Sequence, residues 1–199
     1  MLRVILLQLS SGQGPLECAQ AVGLALKAIQ KQCVASGCTL NVVDSASCKE
    51  PDCFKSIVLH IDSGQDLSRA RELAMQWQGA MLWVCQSQVR PKHRRKNWFF
   101  SGRMFEVNIE DIDSNIRFQA CKASGAGGQH VNTTDSAIRA THLSSGISVK
   151  VSSERSQHAN KRLAYALLMH KLEAENAKQL THHEQQRCNN IGNLSAVIP

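Results

Sequence analysis

The stretch Ala123-Ser124-Gly125-Ala126-Gly127-Gly128-Gln129-His130 places three glycines and two alanines in its first six positions. Side chains this small build no core, and before Gln129 they offer a ligand almost nothing. What remains is the main chain. Glycine reaches φ values closed to other residues and lets the backbone come close to a bound group. The chemistry this pattern can do is therefore backbone recognition at the tip of a loop.

A second group of chemically capable residues lies at Arg90-Pro91-Lys92-His93-Arg94-Arg95-Lys96-Asn97-Trp98-Phe99-Phe100. The chain of 199 residues has a net charge of +7, and this charge is local. Residues 1–89 hold seven basic and seven acidic side chains, and residues 104–199 hold ten basic and nine acidic. Between them, Arg90, Lys92, Arg94, Arg95, Lys96 and Arg103 face no acid at all. Cations packed so closely repel unless solvated or paired with a polyanion. Aromatic faces stack on unpaired bases, so Arg90, Lys92, Arg94, Arg95, Lys96 and Trp98 are candidate contacts to single-stranded or irregular RNA. Two other readings stay open: a solvated loop for the cations, and a buried strand for Trp98 and Phe99.

The eight cysteines contain no C-x-x-C pair. Cys33 and Cys38, like Cys48 and Cys53, are separated by four residues, but Cys33 falls on the apolar stripe of a predicted helix, where a thiol behaves as a small hydrophobe. No metal site is expected. The apolar run Val4-Ile5-Leu6-Leu7 is too short for a signal peptide or a membrane span, so a cytoplasmic protein with reduced thiols and no membrane contact is expected. Gly12 and Gly14 follow a strand but lack the G-x-x-x-x-G-K-[ST] and G-x-G-x-x-G patterns, which favours a tight turn over a nucleotide site.

The elements that must position these groups follow from periodicity. An apolar strand over 2–9 leads to Pro15, suited to a first helical position, and Cys18, Val22, Leu26, Ile29 and Cys33 then form one helical stripe ending at Gly37. Strands over 40–43 and 56–61, a helix over 66–77 and a strand over 81–85 complete a βαββαβ order, that of a ferredoxin-like split-βαβ sandwich. Strands follow over 105–109, 116–121, 136–142 and 146–152, then a helix from about 156 with Ala159, Leu163 and Leu167 inward. The fold class expected is α+β. The expected division is a compact α/β domain over 1–100, a second mixed α/β domain over 101–178 and a polar tail over 179–199.

The order Ala123 to Asn132, then Thr134-Asp135-Ser136-Ala137-Ile138-Arg139, a turn at Gly146 and Glu154-Arg155-Ser156-Gln157-His158-Ala159-Asn160-Lys161, resembles the catalytic domain of class I peptide chain release factors. The likeness spans roughly residues 103–172. It implies hydrolysis of the ester joining a nascent peptide to tRNA in the peptidyl-transferase centre of the large ribosomal subunit. In that reading Gly127 and Gly128 hold the backbone, and the Gln129 N–H donates to the oxyanion. The Gln129 side chain lines the water site, and Ser124, Gly125, Ala126 and His130 support the loop. No cofactor and no protein base are implied; His130 is the one titratable neighbour and receives no general-base role. The resemblance further implies methylation of Gln129 by a glutamine methyltransferase, and contacts to ribosomal RNA from Arg139, Lys150, Arg155, Gln157 and Lys161. Each of these five is also readable as a solvated surface group, Arg155 and Gln157 least so because they lie inside the motif.

Departures from the family narrow the reading. None of Pro15, Pro51, Pro91 and Pro199 begins P-x-T, S-P-F is absent, and from Gln179 onward Arg187 is the sole Lys or Arg. Stop-codon readers carry those tripeptides, and short rescue hydrolases end in a strongly basic tail. The chain instead is similar to the release factor H branch, in which a compact domain and a basic-aromatic segment precede the catalytic domain. That branch implies rescue of ribosomes with damaged small-subunit decoding RNA and a link to an RNA-repair ligase. The alternatives are a non-catalytic RNA-binding adaptor of a repair system and a conventional stop-codon factor.

Overall fold

In a computed structural model of the chain, describing residues 3–64, 66–109, 114–122, 136–154 and 156–194 (180–194 as helical backbone alone), strand β1 (Arg3–Ser10) is apolar on both faces. Both faces are covered. Ile5, Leu7 and Leu9 point to one side, where Val22, Ala25, Ile29 and Cys33 of helix α1 (Leu16–Ser36) bury them together with Ala70, Leu73 and Ala74 of α2 (Leu67–Gln76). Helix α1 ends as its sequence requires. Gly37 takes φ 67°, a left-handed conformation, and closes the last turn through hydrogen bonds to the carbonyls of Cys33 and Val34. Asp66 caps α2, its side chain accepting from the Ser68 N–H at 3.0 Å.

Strands β2 (Thr39–Ser47), β3 (Phe54–Asp62), β4 (Gly79–Val84) and β5 (Asn97–Asn108) complete a five-stranded sheet in the order β2-β3-β1-β5-β4, with every neighbouring pair antiparallel. The α+β class and the βαββαβ element order are as expected; the sheet, however, gains β5 between β1 and β4. The reason is length. β5 spans twelve residues, enough to pair with β1 from Arg3↔Asn108 to Ser10↔Ser101 and with all of β4 from Gly79↔Gly102 to Val84↔Asn97. The expected division at residue 100 therefore falls inside one continuous strand. Gly102 permits the packing at that point: a Cβ there would lie 1.7 Å from the Trp77 carbonyl oxygen.

Strands β6 (Ile116–Cys121), β7 (Ala137–His142) and β8 (Ser148–Val151) form a second antiparallel sheet in sequence order. Helix α3 (Gln157–Leu194) lies between the two sheets and continues to Leu194, into the stretch expected as a polar tail. Its Leu163, Ala164, Leu167 and Leu168 share one buried cluster with Ile138, Ala140, Val149 and Val151 of the small sheet and with Val4, Leu6 and Val58 of the large one. A fully buried leucine contributes roughly 1.5–3 kcal/mol, so this helix is the main weld between the two halves. Polar contacts border it: His170 Nε2 lies 3.2 Å from Gln8 Oε1, the His170 ring meets Phe105 edge-on at 4.3 Å, and Lys171 pairs with Asp44 at 2.8 Å. Among the described residues no helix is long and apolar enough to cross a membrane.

Candidate functional site

The glycine-rich segment joins two paired strands. Cys121 of β6 faces Ala137 of β7 across the ladder, so the chain leaves the small sheet and re-enters it at adjacent points. Ser124, Gly125, Ala126, Gly127, Gly128, Gln129 and His130 lie outside the described residues, as does Arg155. The root of the loop is described, and it is held tightly. Asn160, fully buried in the first turns of α3, donates through Nδ2 to the carbonyls of Ser136 and Glu154, each at 2.8 Å. Its Oδ1 accepts from the Glu154 N–H at 2.9 Å. Both amide hydrogens and the carbonyl are thus committed, which fixes the orientation of the side chain.

Glu154 carries the connection into the large sheet. Its Oε1 accepts from Asn41 Nδ2 of β2 at 2.7 Å and lies 3.5 Å from His60 Nδ1 of β3, longer than an ordinary hydrogen bond. Burial pushes the His60 pKa down, against Asp62 and Glu154, which favour the proton. His60, Asp62 and Glu154 border a cleft of about 290 Å³ that Arg3 and Arg162 also line. A continuous chain of polar contacts thus runs from the N-terminal sheet through Glu154 and Asn160 to Ser136.

The described residues among those expected to face RNA in this half lie on two elements, the small sheet and α3. Arg139 and Lys150 are cross-strand partners on the exposed face of the small sheet, opposite the buried Ile138 and Val149. Lys161 is on α3, with Nζ 4.9 Å from the centre of the Phe118 ring. Gln157 is exposed in the first turn of the same helix.

In the basic segment the structure separates structural cations from exposed ones. Glu17 of α1 is 1% exposed and takes a bidentate contact from Arg90, Nε to Oε1 at 3.0 Å and Nη2 to Oε2 at 2.7 Å. Ser87 Oγ donates to the same carboxylate at 2.5 Å. The Arg90 contact outweighs burial and holds the Glu17 pKa down to about 2. Arg90, expected to contact RNA, is thus committed to an internal ion pair. Trp98 is a clearer correction. It is 0% exposed, its Nε1 donates to the Cys85 carbonyl at 2.9 Å, and the Arg90 and Arg95 guanidinium groups lie 5.6 and 5.0 Å from its ring centre. Its faces are closed to a base. Strand alternation is the cause: Trp98 and Phe100 point towards the helices, and Phe99 points out. Arg95 is half engaged, donating from Nε to the Asn97 carbonyl at 2.8 Å, and Lys92, Arg94 and Lys96 are exposed.

Sequence reasoning missed Glu17, which sits in a helix as an ordinary acid with no local sign of its partner 73 residues away. It also left Asn160 and Glu154 without roles although both lie inside the motif. Among the described residues no group of three His, Cys, Asp or Glu side chains is placed to hold a metal ion, and burial pushes the Cys33 thiol up to about 11.

Residues 104–196 match the RF-1 domain, which places this half of the chain in the release-factor class. The chain is 43% identical over 195 residues to the peptide chain release factor homolog of Escherichia coli, covering 94% of each. It belongs to the family of peptide chain release factor homologs. Peptide chain release factor 1 of Blochmanniella floridana is 52% identical over 86 residues, 42% of this chain and 24% of its own length. RF2 of Thermus thermophilus shares the fold over 93% of this chain and 53% of its own, with 28% identity and a TM-score of 0.54. The likeness to release factor 1 is therefore partial, whereas those to the homolog and to RF2 span both halves.

Proposed function

We propose that this protein hydrolyses the peptidyl-tRNA ester in the peptidyl-transferase centre, without a codon requirement, on ribosomes whose small-subunit decoding RNA is damaged. The observation that carries the reading is a Gly127-Gly128-Gln129 loop inside an RF-1 domain, with both ends anchored in paired strands and its return pinned by Asn160. A water oxygen adds to the ester carbonyl carbon, and the negative charge gathers on the carbonyl oxygen, where the Gln129 N–H donates to it. Collapse breaks the bond to the ribose oxygen, which takes one proton from the attacking water; the water's oxygen stays in the peptide carboxylate, and its second proton passes to solvent. The Gln129 side chain lines the water position. Its methylation by a dedicated methyltransferase completes the loop surface, and the partners are the ribosome, its RNA, peptidyl-tRNA and, functionally, an RNA-repair ligase, all in the cytoplasm.

The absence of P-x-T and S-P-F supports a role other than stop-codon reading. The exposed Lys92, Arg94 and Lys96 support contact with ribosomal RNA from the N-terminal half. The test is release of labelled peptide from three ribosome preparations: intact with a stop codon, intact with a sense codon, and cleaved in the decoding centre. Release on the cleaved ribosomes alone is expected, and Gly128→Ala should abolish it while leaving ribosome binding intact. Release confined to intact stop-codon ribosomes would return the protein to ordinary termination. No release on any preparation would favour the non-catalytic adaptor.

A further inference from the structure

The β4–β5 hairpin buries one face and leaves the other uncovered. Met81, Trp83 and Phe100 pack towards the helices, whereas Leu82, Val84 and Phe99 are 52%, 62% and 51% exposed on the opposite side. Leu82 and Phe99 are direct cross-strand partners, and Val84 pairs with Asn97 one step further along. They form one patch, because residues opposite each other on one face of an antiparallel ladder touch. Helix α3 covers this face of the sheet as far as Phe105, where His170 meets the ring, and the patch lies beyond it.

Along the chain the hairpin carries one sign of charge. From Gly79 to Phe105 the chain holds six lysines and arginines and no aspartate or glutamate. Arg103 projects from β5 on the same face as Phe99, and Lys92, Arg94 and Lys96 occupy the connection at the Val84 end. A second copy of this chain would set cations against cations. A polyanion with flat apolar groups suits the patch on both counts, and unpaired RNA is such a ligand: its bases stack on exposed aromatics while its phosphates meet the cations.

We propose that Phe99, flanked by Leu82 and Val84, is a stacking platform for unpaired nucleobases of RNA, with Arg103 and the cations of the connection neutralising the phosphates. This deepens the reading of the protein as a ribosome-directed factor by naming the surface that meets RNA, a role that Trp98 does not fill.

The test is fluorescence anisotropy with a short labelled single-stranded oligoribonucleotide of mixed sequence and with its duplex, at fixed salt. Phe99→Ala should weaken single-strand binding about tenfold, the effect of losing one base–aromatic stack, and Phe99→Trp should restore it. The duplex, whose bases are already stacked, should bind both proteins equally. Urea midpoints of Phe99→Ala and the parent protein should coincide, because the side chain is exposed. Equal single-strand affinity of Phe99→Ala and the parent would overturn the proposal, as would an equal loss on the duplex, which would mark a charge effect alone. If sedimentation showed that Phe99→Ala abolished self-association without altering RNA affinity, the patch would be a contact between copies and the proposal would fall. Peptide release is read separately: its absence on all ribosomes would sink the hydrolytic reading and leave the oligonucleotide comparison to decide this one.

Discussion

Asn160 Nδ2 reaches the Ser136 carbonyl at 2.8 Å, tying the first turns of α3 to the residue at which the glycine-rich loop rejoins its sheet. The same amide group spans to Glu154, whose carboxylate contacts β2 and β3. One side chain therefore couples the N-terminal sheet to the base of the loop.

Removing that side chain should loosen both. Asn160→Ala removes the partner of two part-buried carbonyls and one N–H, at a cost of about 2–3 kcal/mol once each group's net contribution is summed. Asn160→Asp should cost more, because a carboxylate oxygen would replace the donor facing two carbonyls. Urea denaturation checks the stability loss. In release assays the maximal rate should fall further than ribosome affinity, since the loop root and not the RNA contacts has moved.

The Glu17–Arg90 pair predicts an acid-sensitive fold. Glu17 titrates near 2 in the folded chain against 4.5 for the free group, so its stabilisation is fully present above about pH 4.5 and is lost as pH falls towards 2. With Arg90 partly open to solvent, the contribution is on the order of 1–2 kcal/mol, below what the shift alone would give. Glu17→Gln should lower stability at pH 7 and flatten the decline below pH 4.5. Unfolding curves taken from pH 7 to pH 2.5 would read both.

His170 acts in the same direction but at higher pH. Burial lowers its pKa below the ordinary 6.5, so the unfolded chain takes the proton first and stability falls as pH drops below about 6.5. His170→Gln removes this titration and should reduce the loss of unfolding free energy between pH 7.5 and pH 5.5. Identical pH dependence in parent and variant would refute the assignment.

Gly102 packs against the Trp77 backbone with no room for a methyl group. Gly102→Ala should destabilise by about 3 kcal/mol or prevent soluble expression, because a carbonyl oxygen at 1.7 Å gives way only if β5 or the end of α2 shifts. Thermal unfolding of the purified variant measures this.

The exposed cations make a salt-dependent prediction. Lys92, Arg94 and Lys96, replaced together by Ala, should reduce the slope of log affinity against log salt by about 2, near 0.7 for each phosphate contact to a single strand. Filter binding to single-stranded RNA across a salt series would show it.

Much of this was legible in local order. The stripe from Cys18 to Cys33, the stop at Gly37, the continuous apolar runs of β1 and β3, and the glycine-rich motif are patterns of neighbouring residues, and short-range sterics and periodicity decide them. The likeness to the release-factor family likewise resides in the residue order of that motif. Tertiary structure decided the long-range questions. Whether Trp98 or Phe99 faces the helices depends on the register of β5, set by eight paired positions on β1 far away in sequence. Whether Arg90 is free depends on Glu17, which lies 73 residues earlier and becomes its neighbour only when α1 packs beside the hairpin. Local spacing cannot encode those choices, because they come from which surfaces meet when α3 and the two sheets close on a shared core.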